Sequence, residues 1–403
     1  MTALSRRLVL GGAAAAAAGL PLVAQPVQAA PAKADPRALR DGLDYAVRKL
    51  RAVAPGITRF PEETKFEKWI YTDGGGWVGG FWPGLLWLAH LETKDPLFRR
   101  LAEESARRLA PRRTDLGTHD LGFLFYPSWV TAWRLTGNRE WRDGAIQAAD
   151  SLIRRYNAKG RFLRAWGHIN DPGNAGRVII DTMMNLDLLF FASKETGDSK
   201  YADIAVDHAR TTARHFVRPD GSTPHVFDFD PATGAPVGPN TVQGYSPTSC
   251  WSRGQSWAIY GFTTVYRRTG QREFLDVATK LADHVLPYLR TDPVPIWDYR
   301  SPYAPNDIRD SSAGAITACG LLDLAKITGN ARYRDTATTV LGAITDTCLT
   351  TRSTRAEAIV ARGTRHRSAE GGIEVSLPYG DYYYVEALLR LFRPAELGAA
   401  IGL

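Results

Sequence analysis

Hydrophobic residues recur along this chain with helical spacing, in segments that come in pairs. The second segment of each pair is apolar on one face only, as at Phe274, Val277, Ala278, Leu281, Ala282 and Val285. The first segments are apolar over most of their circumference: GFWPGLLWLAHL, GFLFYPSWVTAW, MMNLDLLFFAS, WAIYGFTTVY, AGAITACGLLDLA and YYYVEALLRL. A helix that is apolar all round is buried, whereas a one-sided helix covers a core. The pattern therefore predicts inner and outer helices.

A similar short turn joins the two helices of five pairs. These turns are Thr93 to Phe98 (TKDPLF), Thr136 to Trp141 (TGNREW), Thr196 to Tyr201 (TGDSKY), Thr269 to Phe274 (TGQREF) and Thr328 to Tyr333 (TGNARY). Such a repeat indicates helical hairpins that bury their faces against one another. With a sixth outer helix expected near residues 36–53, the sequence predicts an all-α fold, an (α/α)6 barrel or six-hairpin toroid. An open solenoid of hairpins is the alternative.

Few segments depart from this helical pattern. Residues 222–232 and 355–371 are predicted to form long loops or hairpins, which in a compact domain are often functional. No long stretch rich in Pro, Ser or Gly after residue 40 looks like a linker. We therefore expect residues 30–403 to form one domain, the barrel.

Residues 1–29 have the features of a twin-arginine-type signal peptide. Arg6 and Arg7 precede an apolar run, which ends in a small-residue cleavage pattern at Val27, Gln28 and Ala29. Glycines and a proline interrupt the run, which is short for a bilayer span of about 20 residues. We expect secretion of a folded protein, with a membrane anchor as the alternative.

The net charge indicates the class of partner, and the cysteines and histidines bear on disulfides and metal sites. The chain carries a formal net charge of +8, which favours an anionic partner. Because Arg and Lys are dispersed and no nucleic-acid motif is present, an acidic sugar is a better candidate than nucleic acid. An odd set of cysteines, Cys250, Cys319 and Cys348, excludes a disulfide scaffold. No His spacing is typical of a metal site, so we expect neither metal nor cofactor.

Polar and aromatic residues concentrate just before the inner helices. They are Trp77, Trp82, His119, Asp120, Asp181, Trp251, Arg253, Arg309, Asp310, Ser311 and Asp381. If the inner helices run in the same direction around a ring, their N-terminal ends share one end of it. We therefore expect one site at that end.

Asp120 and Asp181 are the candidate catalytic acids, and helix capping is the alternative role for both. In RVIIDTMMNL, Asp181 follows three apolar residues, and apolar surroundings raise a carboxyl pKa as a general acid requires. A second carboxylate nearby is expected to raise it further while itself staying ionised. Paired acids of this kind cleave glycosidic bonds.

Aromatic residues near the same helix ends are candidates for stacking on a pyranose ring. They are Trp77, Trp82, Trp166, Trp251 and Trp257, with a place in the core as the alternative. Arg253, in WSRGQSW, is suited to grip a carboxylate with two parallel hydrogen bonds. A surface salt bridge is the alternative for Arg253.

Six motifs together resemble the unsaturated glucuronyl hydrolases of glycoside hydrolase family 88. They are GFWPGLLWLA, HDLGFL, RVIIDTMMNL, CWSRGQSWAIYGF, RDSSAGAITACGLL and GDYYYVEALLRL, and the resemblance runs from about residue 65 to residue 393. It implies an (α/α)6 barrel that hydrates the C4=C5 vinyl ether of an unsaturated uronic acid at the non-reducing end of oligosaccharides. Glycosaminoglycan or other polysaccharide lyases produce such oligosaccharides.

The resemblance also implies roles for individual residues. Asp181 matches the general acid and base, and Asp120 matches the second essential acid. The matches in substrate binding are Trp77, His119, Trp166, His225, Gln243, Trp251, Arg253 and Trp257, with Arg253 the expected partner of the uronate carboxylate.

Three departures from the family pattern concern the choice of substrate. Gly79 stands where Asp or Asn is frequent, Tyr379 stands where Trp is common, and residues 363–367 lack the Ser and Lys pattern of members that act on sulfated sugars. An unsaturated rhamnogalacturonyl hydrolase and a non-catalytic protein that binds acidic oligosaccharides are the alternative functions. The sequence carries no signal for an oligomeric state.

Overall fold

The structure is a computed structural model, and it describes residues 34–403. Residues 1–29, the predicted signal peptide, lie outside this range. In chain order the helices are α1 (Pro36–Val53), α2 (Phe81–Thr93), α3 (Pro96–Arg107), α4 (Leu121–Phe125), α5 (Thr131–Thr136), α6 (Arg139–Ile153), α7 (Thr182–Thr196), α8 (Lys200–Phe216), α9 (Ser252–Thr269), α10 (Arg272–Thr291), α11 (Ser311–Thr328), α12 (Ala331–Cys348), α13 (Pro378–Phe392) and α14 (Pro394–Ile401). A π-helical turn (Tyr126–Val130) links α4 to α5.

The inner helices close into a ring. They are α2, α4 with its continuation α5, α7, α9, α11 and α13, and each packs against the next. The last, α13, packs against the first, α2, and α1 fills the sixth outer position against α12 and α13. The predicted (α/α)6 barrel is confirmed, and the open solenoid is wrong.

Burial along the helices follows the sequence pattern. Every residue of α9 from Ser252 to Val265 is buried, whereas α10 buries one face through residues such as Phe274, Ala278 and Leu281. Outer helices therefore cover the inner ring. Burial of their apolar stripes stabilises the fold by about 25 cal/mol per Å² of apolar surface removed from water.

The repeated turn ends an inner helix in the left-handed conformation. Gly197 has φ +77°, where a residue with a Cβ is disfavoured. The Thr196 hydroxyl donates to the Ala192 carbonyl (2.7 Å) and accepts from the Asp198 N–H (3.2 Å). The Asp198 carboxylate then accepts from the Lys200 N–H (2.9 Å), which starts α8. These turns lie at the C-terminal ends of the inner helices. They are therefore at the other end of the barrel from the predicted site residues, which lie at the N-terminal ends.

Short strands lie in the connections at the N-terminal ends. They are β1 (Phe60–Lys65), β2 (Lys68–Thr72), β3 (Tyr156–Asn157), β4 (Phe162–Leu163), β5 (Arg177–Ile179), β6 (Val226–Phe229) and β7 (Pro236–Asn240). The order β5-β6-β7 forms an antiparallel sheet, so the predicted loop at 222–232 contains a strand. Residues 355–371 form isolated bridges, such as Gly363 to Val375, and a short 3-10 helix (Arg367–Ala369).

No helix within residues 34–403 is long and apolar enough to cross a membrane.

Candidate active site

A pocket opens at the N-terminal ends of the inner helices, with about 330 Å³ of empty space that includes its opening to solvent. Its lining is Trp77, Asp120, Phe123, Trp166, Ile179, Asp181, Gln243, Trp251 and Arg253. Residues that are far apart in the chain meet here because the inner helices share one direction. All but Phe123 and Ile179 are among the residues predicted for the site.

Asp120 and Asp181 precede α4 and α7, yet neither carboxylate hydrogen-bonds to a backbone N–H of its helix. Asp310, by contrast, caps α11 by accepting from the N–H groups of Ser312 and Ala313. Capping is therefore the role of Asp310, and the carboxylates of Asp120 and Asp181 line the pocket.

Asp120 is held in a position where its charge is costly. Its Oδ2 accepts from the Thr118 hydroxyl (3.1 Å), and its Oδ1 from the Asn185 amide (3.5 Å). Burial, followed by the charge of Asp181, raises the pKa of Asp120 to about 7. The second acid was expected to stay ionised, but Asp120 is as deeply buried as Asp181, both being 7% exposed, and this burial disfavours its charged form.

The imidazole of His225 lies behind Asp181 in a fixed tautomer. Its Nδ1 is the acceptor for two backbone N–H groups, those of Val242 (3.1 Å) and Gln243 (3.0 Å). The proton of a neutral imidazole must then be on Nε2. This Nε2 lies 3.5 Å from Asp181 Oδ2, and both atoms are enclosed. Oδ1 is therefore the oxygen that Asp181 presents to the pocket.

His119 occupies an equivalent place behind Asp120. It is 0% exposed, and its Nε2 lies 3.3 Å from Asp120 Oδ1. Burial and the charge of Arg155 lower the pKa of His119 to about 3, so this imidazole stays neutral. Both predicted histidines thus contact the acids and do not line the pocket.

Arg253 reaches the pocket with most of its donors already used. Its Nη1 donates to Asp310 Oδ2 (2.6 Å) and to the Thr364 carbonyl, and its Nη2 donates to the Arg365 carbonyl (2.6 Å). Nε has no hydrogen-bond partner within the described residues. The same Arg365 carbonyl accepts from the Gln243 amide (2.8 Å), so one backbone oxygen positions two predicted binding residues. The ion pair of Arg253 is buried, whereas the alternative predicted for it was a surface salt bridge.

Tryptophan side chains form much of the wall. Trp77 packs against Phe123 and Tyr379 with ring centroids 5.5 and 5.0 Å away, and the Arg253 guanidinium lies 4.5 Å from the Trp251 ring. Trp257 differs from its prediction, because it is 0% exposed and packs on Phe123 beneath the pocket.

Two lining residues were missed, although both had a signal in the sequence. Phe123 lies one helical turn after Asp120, and Ile179 lies two residues before Asp181 on β5, so each shares a face with an acid. Trp82, named with the other tryptophans, is buried outside the pocket.

Within residues 34–403 no group of three or more His, Cys, Asp or Glu side chains is arranged to hold a metal ion. The cysteines Cys250, Cys319 and Cys348 are buried and free.

The chain is similar to proteins of known activity over most of its length. Residues 57–293 match the profile of Glycosyl Hydrolase Family 88. An unsaturated glucuronyl hydrolase of Bacillus sp. (strain GL1) is 39% identical over 368 residues, which are 89% of this chain and 96% of that one. An unsaturated chondroitin disaccharide hydrolase of Streptococcus pyogenes serotype M1 is 35% identical, over 88% and 91% of the two chains.

A solved structure shares the fold and contains a sugar. It is an aspartate-to-asparagine mutant of the unsaturated glucuronyl hydrolase of Streptococcus agalactiae in complex with dGlcA-GalNAc6S. Its TM-score is 0.77 at 29% identity, and the match covers 90% of this chain and 93% of that one.

Proposed function

The chain belongs to glycoside hydrolase family 88, and on this premise we propose that its pocket hydrates the C4=C5 double bond of an unsaturated uronic acid at the non-reducing end of an oligosaccharide. The protein is a glycoside hydrolase of the unsaturated glucuronyl hydrolase type. One observation carries the proposal: Asp120 and Asp181 line an aromatic pocket together and cap no helix.

The chemistry needs a proton donor and a water molecule, and it needs no nucleophilic side chain. Protonation of C4 gives an oxocarbenium ion shared between C5 and the ring oxygen, and water adds to C5. The resulting hemiketal opens to a ketone at C5 and a hemiacetal at C1. This hemiacetal expels the hydroxyl of the next sugar, so the uronate leaves as a keto acid.

We assign the proton transfer to Asp181. Because His225 Nε2–H faces Oδ2, we assign the proton that Asp181 donates to Oδ1, which faces the pocket. After this proton has gone to C4, the same N–H stabilises the carboxylate. His225 itself cannot accept the proton at Nδ1, since that nitrogen already faces the N–H groups of Val242 and Gln243. The Asp181 carboxylate then takes a proton from the attacking water.

Asp120 supports this step from the other side of the pocket. With a pKa of about 7 it is partly protonated at neutral pH, so it can either donate to or accept from a ring hydroxyl. Its negative form also favours the oxocarbenium ion. General acid and base catalysis accelerates a reaction by about 10²- to 10⁴-fold.

The remaining walls suit an anionic pyranose. Trp77, Trp166 and Trp251 offer flat rings to the sugar. Arg253 and the Gln243 side chain are the lining donors that can meet the uronate carboxylate. Unsaturated uronyl products of glycosaminoglycan or other polysaccharide lyases fit these walls.

The test uses the chromophore of the substrate. An unsaturated uronyl disaccharide absorbs near the ultraviolet edge, and hydration removes that absorbance. We expect the wild-type protein to remove it from at least one of the chondroitin, heparin, hyaluronan, ulvan and gellan lyase products, and Asp181→Asn to be at least about 10²-fold slower. Binding without loss of absorbance for every product would instead identify a carbohydrate-binding protein. Undiminished turnover by Asp181→Asn would refute the assignment of the acid.

We also propose that the protein is exported by the twin-arginine route, on the basis of the pattern in residues 1–29. Changing both Arg6 and Arg7 to Lys is expected to keep the precursor inside the cell. Fractionation of the two forms, with the mass of the exported chain, tests this. Equal export of the variant would contradict it.

A further inference from the structure

Arg155 is a buried arginine just after α6 that no part of the proposed chemistry uses. Its side chain is among the largest that are fully buried, and the residue is 2% exposed. All of its hydrogen bonds go to backbone carbonyls: Leu116 (2.9 Å), Arg164 (2.9 Å), Ala165 (2.8 Å), Trp166 (3.0 Å) and Gly167 (2.9 Å).

None of the ion pairs found within residues 34–403 includes Arg155. Arg253 and Arg390 differ, since they pair with Asp310 and Glu386, whereas Arg164, which is 7% exposed, also binds backbone carbonyls. A buried charge without a partner destabilises the fold. Burial lowers the pKa of Arg155 to about 10, which still leaves it charged at neutral pH. The free-energy cost of burying this charge indicates that Arg155 has a role in the site that compensates for it.

The accepting carbonyls belong to two walls of the pocket. Ala165, Trp166 and Gly167 form the loop that carries the Trp166 ring, and Leu116 begins the segment that leads to His119 and Asp120. The planar guanidinium therefore joins the wall with the sugar-stacking ring to the wall with an acid. A lysine has three N–H donors at one point and cannot span the same carbonyls.

The charge of Arg155 acts on Asp120. The groups that act on this carboxylate are Asp181, which also lines the pocket, His119 beside it, the hydrogen-bond donors Thr118 and Asn185, and the charge of Arg155. His119 is neutral, so Arg155 supplies the positive charge on this side. It lowers the pKa of Asp120, against burial and the charge of Asp181, which raise it.

We propose that Arg155 is a positioning residue of the active site, which fixes the Trp166 loop against the His119–Asp120 segment and places a positive charge between these two walls. This inference rests on the proposed function of the pocket.

Three variants separate the two parts of the inference. Arg155→Met removes both charge and hydrogen bonds, and Arg155→Lys keeps the charge alone. Arg164→Met is the matched control, because Arg164 is buried, its side chain binds the carbonyls of Ile169 and Asp171 in the same loop, and Arg155 uses only its backbone carbonyl. Melting temperature and circular dichroism establish that each variant is folded.

The pH dependence of kcat/KM distinguishes the charge from the loop. Loss of a positive charge raises the pKa of Asp120, so Arg155→Met is expected to move the acid limb of the pH profile upward. Arg155→Lys is expected to keep the limb and raise KM about tenfold, since it loses several hydrogen bonds of about 1 kcal/mol each. Arg164→Met should raise KM without moving the limb.

If the acid limb of the pH profile does not move in Arg155→Met, the inference about the charge of Arg155 is wrong. If Arg155→Lys has the wild-type KM, the inference that Arg155 positions the Trp166 loop is wrong. Should Arg155→Met fail to fold, Arg155→Gln removes the charge and keeps some hydrogen bonds, and the same shift is expected. If the wild-type protein is inactive on every lyase product, the proposed function fails. A carbon-13 NMR titration of Asp120 without substrate then still decides whether Arg155→Gln raises its pKa.

Discussion

Replacing Asp120 with asparagine is expected to abolish activity and, at the same time, to stabilise the protein above neutral pH. The pKa of this carboxyl rises from 3.8 to about 7 on folding, a difference of about 3 units. One unit corresponds to about 1.4 kcal/mol, so ionised Asp120 costs the native state about 4 kcal/mol. An asparagine resembles the protonated form and does not carry this cost.

The direction in which stability changes with pH follows from proton binding by Asp120. Between about pH 4 and pH 7 the native state holds the Asp120 proton and the unfolded chain does not. Stability from this group is therefore complete below about pH 4 and is lost as the pH rises through about 7. The gain in Asp120→Asn is expected to be absent at pH 4 and largest at pH 8.

Melting temperatures of the two proteins from pH 4 to pH 8 measure this difference. An unfolding entropy of roughly 0.8 kcal/mol/K for a chain of this size turns about 4 kcal/mol into about 5 °C. Asp310→Asn is the matched control, because the Asp310 carboxylate is paired with Arg253 and caps α11. It should lower the melting temperature at pH 8. An Asp120→Asn variant that melts at or below the wild-type temperature at pH 8 would refute the reasoning.

Four further variants test other parts of the structure. Arg253→Lys should lower kcat/KM by about 10²-fold, because a lysine cannot keep the bonds to Asp310 and the loop carbonyls while reaching the substrate; unchanged kinetics would contradict this. Gly197→Ala should cost about 1–2 kcal/mol through its left-handed backbone alone, seen as a melting temperature lower by about 2 °C at unchanged kcat/KM. Trp251→Phe should raise KM, whereas Trp257→Phe should lower the melting temperature and leave KM near the wild-type value; an equal effect on KM would place Trp257 in the wall.

The fold was predictable because its signals are local. Helical spacing identifies the inner and outer helices, and the threonine of each turn makes bonds that span only a few residues, as at Thr196. The sequence left both a closed ring and an open solenoid possible, since closure depends on packing between α13 and α2, which are far apart in the chain.

The positions of the site residues were predictable, and their surroundings were less so. Helix direction alone brings Asp120 and Asp181 together. The pKa of Asp120, however, depends on burial by side chains from other helices, and the donors of Arg253 are used by carbonyls 111 and 112 residues away. Trp257 lies one turn inside α9, whereas Trp251 precedes it, which is why only Trp251 reaches the pocket. Arg155 has no local signal, because its partners are backbone atoms.

The central claim is that a proton is added to C4 and water to C5 of an unsaturated uronate. Turnover of an unsaturated uronyl disaccharide in heavy water, followed by proton NMR and absorbance, tests it most directly. We predict that deuterium enters at C4, that the chromophore disappears, and that both changes stop in Asp181→Asn. Release of the next sugar with the C4=C5 bond intact and no deuterium at C4 would contradict the account.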